Sequence, residues 1–100
     1  MSWATAYVAR LQAGEPVSFR PRGNSMVPLI SSGELCTVEP TGDQELKKGD
    51  IVLCKVRGAQ YLHLVSGLKP GQVQISNNRG HINGWTARNN VFGILTDVAP

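Results

Sequence analysis

Apolar and polar positions alternate over short stretches through most of this chain, a two-residue period that predicts β-strands. The exception comes first. Trp3, Tyr7 or Val8, and Leu11 recur at helical spacing over residues 3–13, with Ser2 placed to cap the helix and Gly14 to end it. Beyond it, residues 17–19 read as a short strand and residues 27–31 as a brief or single helical turn leading to Gly33. Residues 35–39 then read as a strand, and residues 41–48 as a polar loop. Lys48-Gly49-Asp50 turns into the β-branched run at residues 51–56. Arg57-Gly58 is a tight hairpin signal, with residues 61–65 as the return strand. Lys69-Pro70-Gly71-Gln72 marks a second turn before a strand at residues 73–76. Residues 77–90, rich in Asn and Gly, read as a loop, and residues 91–98 as the last strand.

Six or so short strands joined by hairpins predict a mainly β chain: one small antiparallel β-domain with a single short N-terminal helix in residues 1–14. A length of 100 residues allows one core and not two, so residues 1–100 are read as a single domain without repeats or linkers. An apolar fraction of 41% and a charged fraction of 17% argue against disorder. The 11 glycines and 6 prolines suit many turns. The net charge of +3 comes from scattered Lys and Arg, with no basic stripe, so a nucleic-acid partner is not expected. Cys36 and Cys54 lie in apolar strand-like segments and read as buried thiols, with a disulfide left open. No metal or cofactor site is expected. No apolar run is long enough to span a bilayer, and the N-terminus shows no basic leader or apolar signal core. A soluble, cytoplasmic protein without a membrane anchor is therefore expected.

The candidate chemistry begins at Gly23-Asn24-Ser25-Met26-Val27-Pro28. Ser25 sits where a strand-like segment gives way to a turn, so its hydroxyl can project and the Ser25 and Met26 amides can serve as oxyanion donors. The pattern is not the G-x-S-x-G elbow of the α/β-hydrolases, since Val27 stands at the second glycine position. A serine hydroxyl needs a base, and the histidines are His63 and His81. His63 shares a strand face with Tyr61 and Val65. By periodicity alone it reads as a half-buried histidine satisfied by a backbone carbonyl rather than as a base. Lys55 reads as an exposed strand lysine. Arg20 and Arg22, flanking the serine segment, read as solvated or as an attraction for an acidic substrate.

Taken in order, Gly23-Asn24-Ser25-Met26-Val27-Pro28, Gly33-Glu34-Leu35, Lys48-Gly49-Asp50-Ile51-Val52, Tyr61-Leu62-His63-Leu64-Val65 and Phe92-Gly93-Ile94 resemble the LexA-like and type I signal peptidase superfamily of S24 and S26 serine peptidases, over residues 17–98. The resemblance implies that fold and a nucleophile at the serine before methionine. It implies a base on the strand after the Gly-Asp turn, lysine in some members and histidine in others. Ser25 and His63 match these positions. The implied reaction is acyl transfer to Ser25 with His63 as base and then acid, on a peptide or protein bound as an added β-strand.

Two departures bear on this. Glu34 replaces the aspartate usual after the glycine. The region where histidine-type members carry an orienting aspartate, residues 77–85, holds no acid, and His81 stands at the matching position if Gly80 aligns. His63 would then be oriented by a carbonyl, an Asn side chain or water, which makes Asn78, His81 and Asn83 the candidate lid or orienting residues. The plainer reading of this segment is an Asx-turn and glycine loop with Trp85 folded onto the core. Asp50 reads as a turn residue, and Asp97 lies near the C-terminus. Two functions follow: a soluble serine endopeptidase using a Ser25–His63 dyad, or a catalytically inactive peptide-binding module that keeps the fold. Nucleic-acid binding is a third and weaker option. With no helix-turn-helix or linker in the chain, cleavage of its own linker is not expected.

Overall fold

The computed structural model describes residues 3–100. One helix, α1 (Thr5–Gln12), precedes seven strands: β1 (Val17–Phe19), β2 (Leu35–Pro40), β3 (Ile51–Val56), β4 (Ala59–Lys69), β5 (Gln72–Ser76), β6 (Ile82–Ala87) and β7 (Val91–Ala99). All lie in one antiparallel sheet of order β1-β2-β7-β3-β4-β5-β6.

The helix ends for the reason its sequence suggests. Gly14 takes φ +87°, its N–H donates to Leu11 O, and Glu15 N–H donates to Arg10 O, which closes the last turn. At the other end Ala4 occupies the cap position without a side-chain bond, and Ser2 lies outside the described residues. The Arg57-Gly58 hairpin forms as read, with both residues at positive φ.

Residues 77–90 are not a loop throughout. They contain β6 and a short 3-10 turn, Arg88–Asn90. The Asn83-Gly84 pair, within the segment read as a loop, is instead absorbed by a β-bulge. Ile75 pairs with Gly84 and Ser76 with Ile82, so Asn83 is an extra residue without a partner, and Gly84 takes φ +138°. Further register shifts fall between β2 and β7, β3 and β7, and β4 and β5. Bulges add twist, and the β3–β6 end of the sheet curls until Thr86 Oγ1 of β6 donates to Lys55 O of β3 at 2.7 Å.

The curl divides the core in two. Under α1, Val8 and Leu11 pack on Val38, Leu53 and Leu62, and Met26 and Ile30 join them from the serine loop. Inside the curl, Val52, Cys54, Val56, Val65, Val73 and Ile75 form the second cluster. Alternation along β3 explains the division, since Leu53 faces the helix while Val52 and Cys54 face the curl. Burial of a side chain such as Leu53 contributes about 1.5–3 kcal/mol. Both thiols are free and buried, one in each cluster, and burial pushes Cys54 up to about 12. No helix among the described residues is long and apolar enough to cross a membrane.

Candidate active site

β4 changes partners along its length, and the site sits where it does. Residues 59–64 pair with β3, whereas pairing with β5 begins only at Leu64 opposite Ser76. The first half of β4 therefore leaves one edge unpaired within the sheet. Val65 points both its N–H and its C=O toward the β3 side, to Asp50 and Gly49. Backbone alternation then turns Gln60 and Leu62 toward the open edge. A cleft of about 150 Å³ runs beside that edge, between residues 60–63 and the loop carrying Gly23, Ser25 and Met26, with Trp3 also in its lining.

The serine loop is held from both sides. Val27 N–H donates to Asn24 O and Ile30 N–H to Met26 O, which makes the single helical turn, and the buried Met26 and Ile30 anchor it to the core under α1. From the other side comes the β5–β6 connection. Asn78 N–H donates to Ser25 O at 2.8 Å, and Asn78 Nδ2 donates to Val27 O at 3.0 Å. Among the described residues no hydrogen bond engages the Ser25 or Met26 N–H.

Within this frame Ser25 Oγ lies 3.1 Å from His63 Nε2. His63 is buried, only 8% exposed, and its ring stacks on Tyr61 of the same face at 4.9 Å between centroids. Its Nδ1 lies 2.7 Å from Asn83 Oδ1. A carbonyl oxygen can only accept, so the ring carries its proton on Nδ1, and Nε2 is left to accept from the serine hydroxyl. Ser25, His63 and Asn83 thus form one chain of hydrogen bonds. Asn83 reaches it because it is the bulged residue of β6, a position that re-aims a side chain.

The remaining candidates fall elsewhere. His81 is exposed on the β5–β6 connection and contacts neither Ser25 nor His63 through a hydrogen bond, its N–H donating to Asn77 Oδ1. That bond and the one from Arg79 N–H to Asn77 Oδ1 make the Asx-turn of this connection. The carboxylates are engaged elsewhere or remote. Asp50 accepts from Lys47 N–H in the turn before β3, Glu34 accepts from Ser31 N–H, and Asp97 pairs with Thr37 across β2 and β7. Trp85 is not folded onto the core. It stays 39% exposed beneath Lys69 Nζ, which sits 4.4 Å from its ring. Lys55 is exposed, as read.

Burial lowers the His63 pKa from its ordinary value of 6.5, the bond it donates to Asn83 opposes this, and positive charge on His81 adds to it. The imidazole is therefore neutral, and able to accept a proton, at pH 7. A rate that depends on His63 as a base should rise with pH through an inflection below 6.5 and then level off. The rate of Ser25 modification measured from pH 4.5 to 8 checks this, and an inflection above about 7 contradicts it.

Residues 6–92 match the family model described as Peptidase S24-like, which covers the serine loop, β4 and β6 together. No curated protein matches the chain.

Proposed function

This chain belongs to the Peptidase S24-like family, and on that premise we propose that it is a serine endopeptidase acting through Ser25 and His63. The observation that carries the reading is the continuous hydrogen-bond chain from Ser25 Oγ through His63 to Asn83, set at the mouth of a cleft.

In the proposed reaction Ser25 Oγ attacks the carbonyl carbon of a peptide bond while its proton passes to His63 Nε2. The charge that develops on the carbonyl oxygen is met by the Ser25 and Met26 amides. His63 then gives the proton to the departing amine, and the C–N bond breaks to leave an acyl-serine. Water attacks that ester with His63 as base again, which releases the acid and restores the serine. Asn83 accepts from Nδ1–H throughout and so keeps Nε2 directed at the serine. The substrate enters as a strand on the open edge of β4, where Leu62 offers its backbone groups beyond the Gln60 carbonyl that Trp3 engages.

An alkyl fluorophosphonate tests the reading, since it phosphonylates only a serine whose hydroxyl is activated. The expected result is a single adduct on the tryptic peptide that contains Ser25. A protein that stays unmodified, or an adduct on another residue, would overturn the assignment. Retained peptide binding without an adduct would leave a binding module on the same fold.

A further inference from the structure

We propose that the groove lined by Trp3, Tyr7, Phe19, Arg20, Pro21 and Arg22 is a subsite for an acidic residue of the substrate peptide. This rests on the peptidase reading and adds the chemistry of what is bound.

The groove holds about 360 Å³ and shares two walls, Trp3 and Pro21, with the cleft beside Ser25. Trp3 lines both spaces, with its Nε1–H donating to Gln60 O at 3.3 Å on the open edge of β4. A peptide added along that edge meets Trp3, and its next residues fall into the groove. The floor there is aromatic: Tyr7 stacks on Phe19 at 4.6 Å, Trp3 meets Phe19 edge-on at 5.5 Å, and Trp3 remains 50% exposed. Apolar atoms of a peptide can lie on these rings.

The charge has one sign. Among the described residues Arg20 and Arg22 are the charged ones lining the groove, and no carboxylate lines either space. Arg20 is fixed by a bond from Nη1 to Gly33 O at 2.8 Å, which leaves the rest of its fork to face a ligand. Among the described residues Arg22 has neither an ion-pair nor a hydrogen-bond partner. Two guanidinium groups beside an aromatic floor select a carboxylate side chain, whose paired oxygens match the fork.

The test uses the Ser25→Ala protein, so that binding is read without turnover, and blocked decapeptides of alanine with one central Glu, Gln or Lys. The uniform background lets each peptide slide to its preferred register. Titration at low salt, followed through the Trp3 indole N–H signal in two-dimensional NMR, should show the Glu peptide binding about three to ten times more tightly than the Gln peptide. The Lys peptide should bind most weakly, and the preference should largely vanish at high salt. Arg22→Glu should abolish or invert the order, while Lys48→Glu, an equal charge change on the exposed turn before β3, should preserve it.

Equal binding of Glu and Gln peptides overturns the proposal, as does no binding by any of them. A preference lost equally in Lys48→Glu also overturns it, because the effect is then general attraction to a basic protein. A Trp3 signal that shifts with protein concentration alone assigns the face to a second copy of the chain and has the same consequence. Fluorophosphonate modification of the wild type separates the two readings. An acid preference without modification keeps the groove and removes the peptidase, and modification without preference does the reverse.

Discussion

Alanine in place of His63 is expected to slow fluorophosphonate modification of Ser25 at pH 7 by about 10²–10⁴-fold, the usual contribution of a positioned general base. The variant keeps the strand, because His63 faces Val52 across a regular β3–β4 pair and adds no bond to the ladder beyond its backbone. What is lost is the acceptor 3.1 Å from Ser25 Oγ. The series continues at Asn83, which touches the imidazole and does not line the cleft, so it is a positioning residue. An amide offers an acceptor on one side and a donor on the other, and a ring turned toward the donor would carry its proton on the wrong nitrogen. Asn83→Asp removes that ambiguity and stabilises the imidazolium, so the rate should rise about tenfold or more and the pH inflection should move upward. Asn83→Leu should slow the reaction and move the inflection downward. A structural role alone would change the rate without moving the inflection. Folding of each variant is checked by circular dichroism, and a His63→Ala protein that is folded and reacts at the wild-type rate refutes the dyad.

The second large effect lies away from the site, at Gly93 of β7. A Cβ built there would stand 2.5 Å from Val38 Cγ1, 2.9 Å from Leu11 Cδ1 and 3.0 Å from the Glu39 carbonyl oxygen. Two of these neighbours are core side chains and the third is backbone of the paired strand, so none can yield cheaply. Gly93→Ala should therefore destabilise the protein by about 3 kcal/mol, at the upper end of ordinary overpacking. For a chain of this size that lowers Tm by roughly 12–24 °C. Thermal unfolding followed by circular dichroism reads the shift directly. A drop of less than about 4 °C would mean that β2 and α1 both shift readily to admit the methyl. Ser25 modification measured well below the transition should be preserved, since Gly93 contacts the helix and β2 rather than the cleft.

Gly93 also shows what a sequence conveys. Phe92-Gly93-Ile94 was legible as part of an ordered set that resembles a family, yet nothing local in the chain says that the glycine makes room for Leu11. The short-range features were readable: the helix and its glycine stop, the Arg57-Gly58 hairpin, and the alternating faces of β3 and β4 with His63 beside Tyr61. The long-range ones were not. A chain read as successive hairpins gives no sign that β7 returns to lie between β2 and β3, because those pairings join segments about forty to sixty residues apart. β6 was hidden for a different reason. Asn-Gly is strong turn chemistry, and only pairing with β5 shows that here it makes a bulge inside a strand. The partner of His63 was therefore narrowed to Asn78, His81 and Asn83 but not chosen. Geometry separates these three: Asn83 meets the imidazole, Asn78 ties down the serine loop, and His81 stays outside.

The bulge makes the site depend on counting as well as on chemistry. Side chains along a strand switch sides with every residue, so Asn83 faces His63 only because β6 is one residue longer than the stretch of β5 it opposes. Deleting a single residue between Ile82 and Thr86 would let the two strands pair without interruption and leave no residue spare to reach inward. No substitution reproduces that change. The spacing between Asn78 and Asn83 is thus itself part of what builds the site, whatever the residues between them.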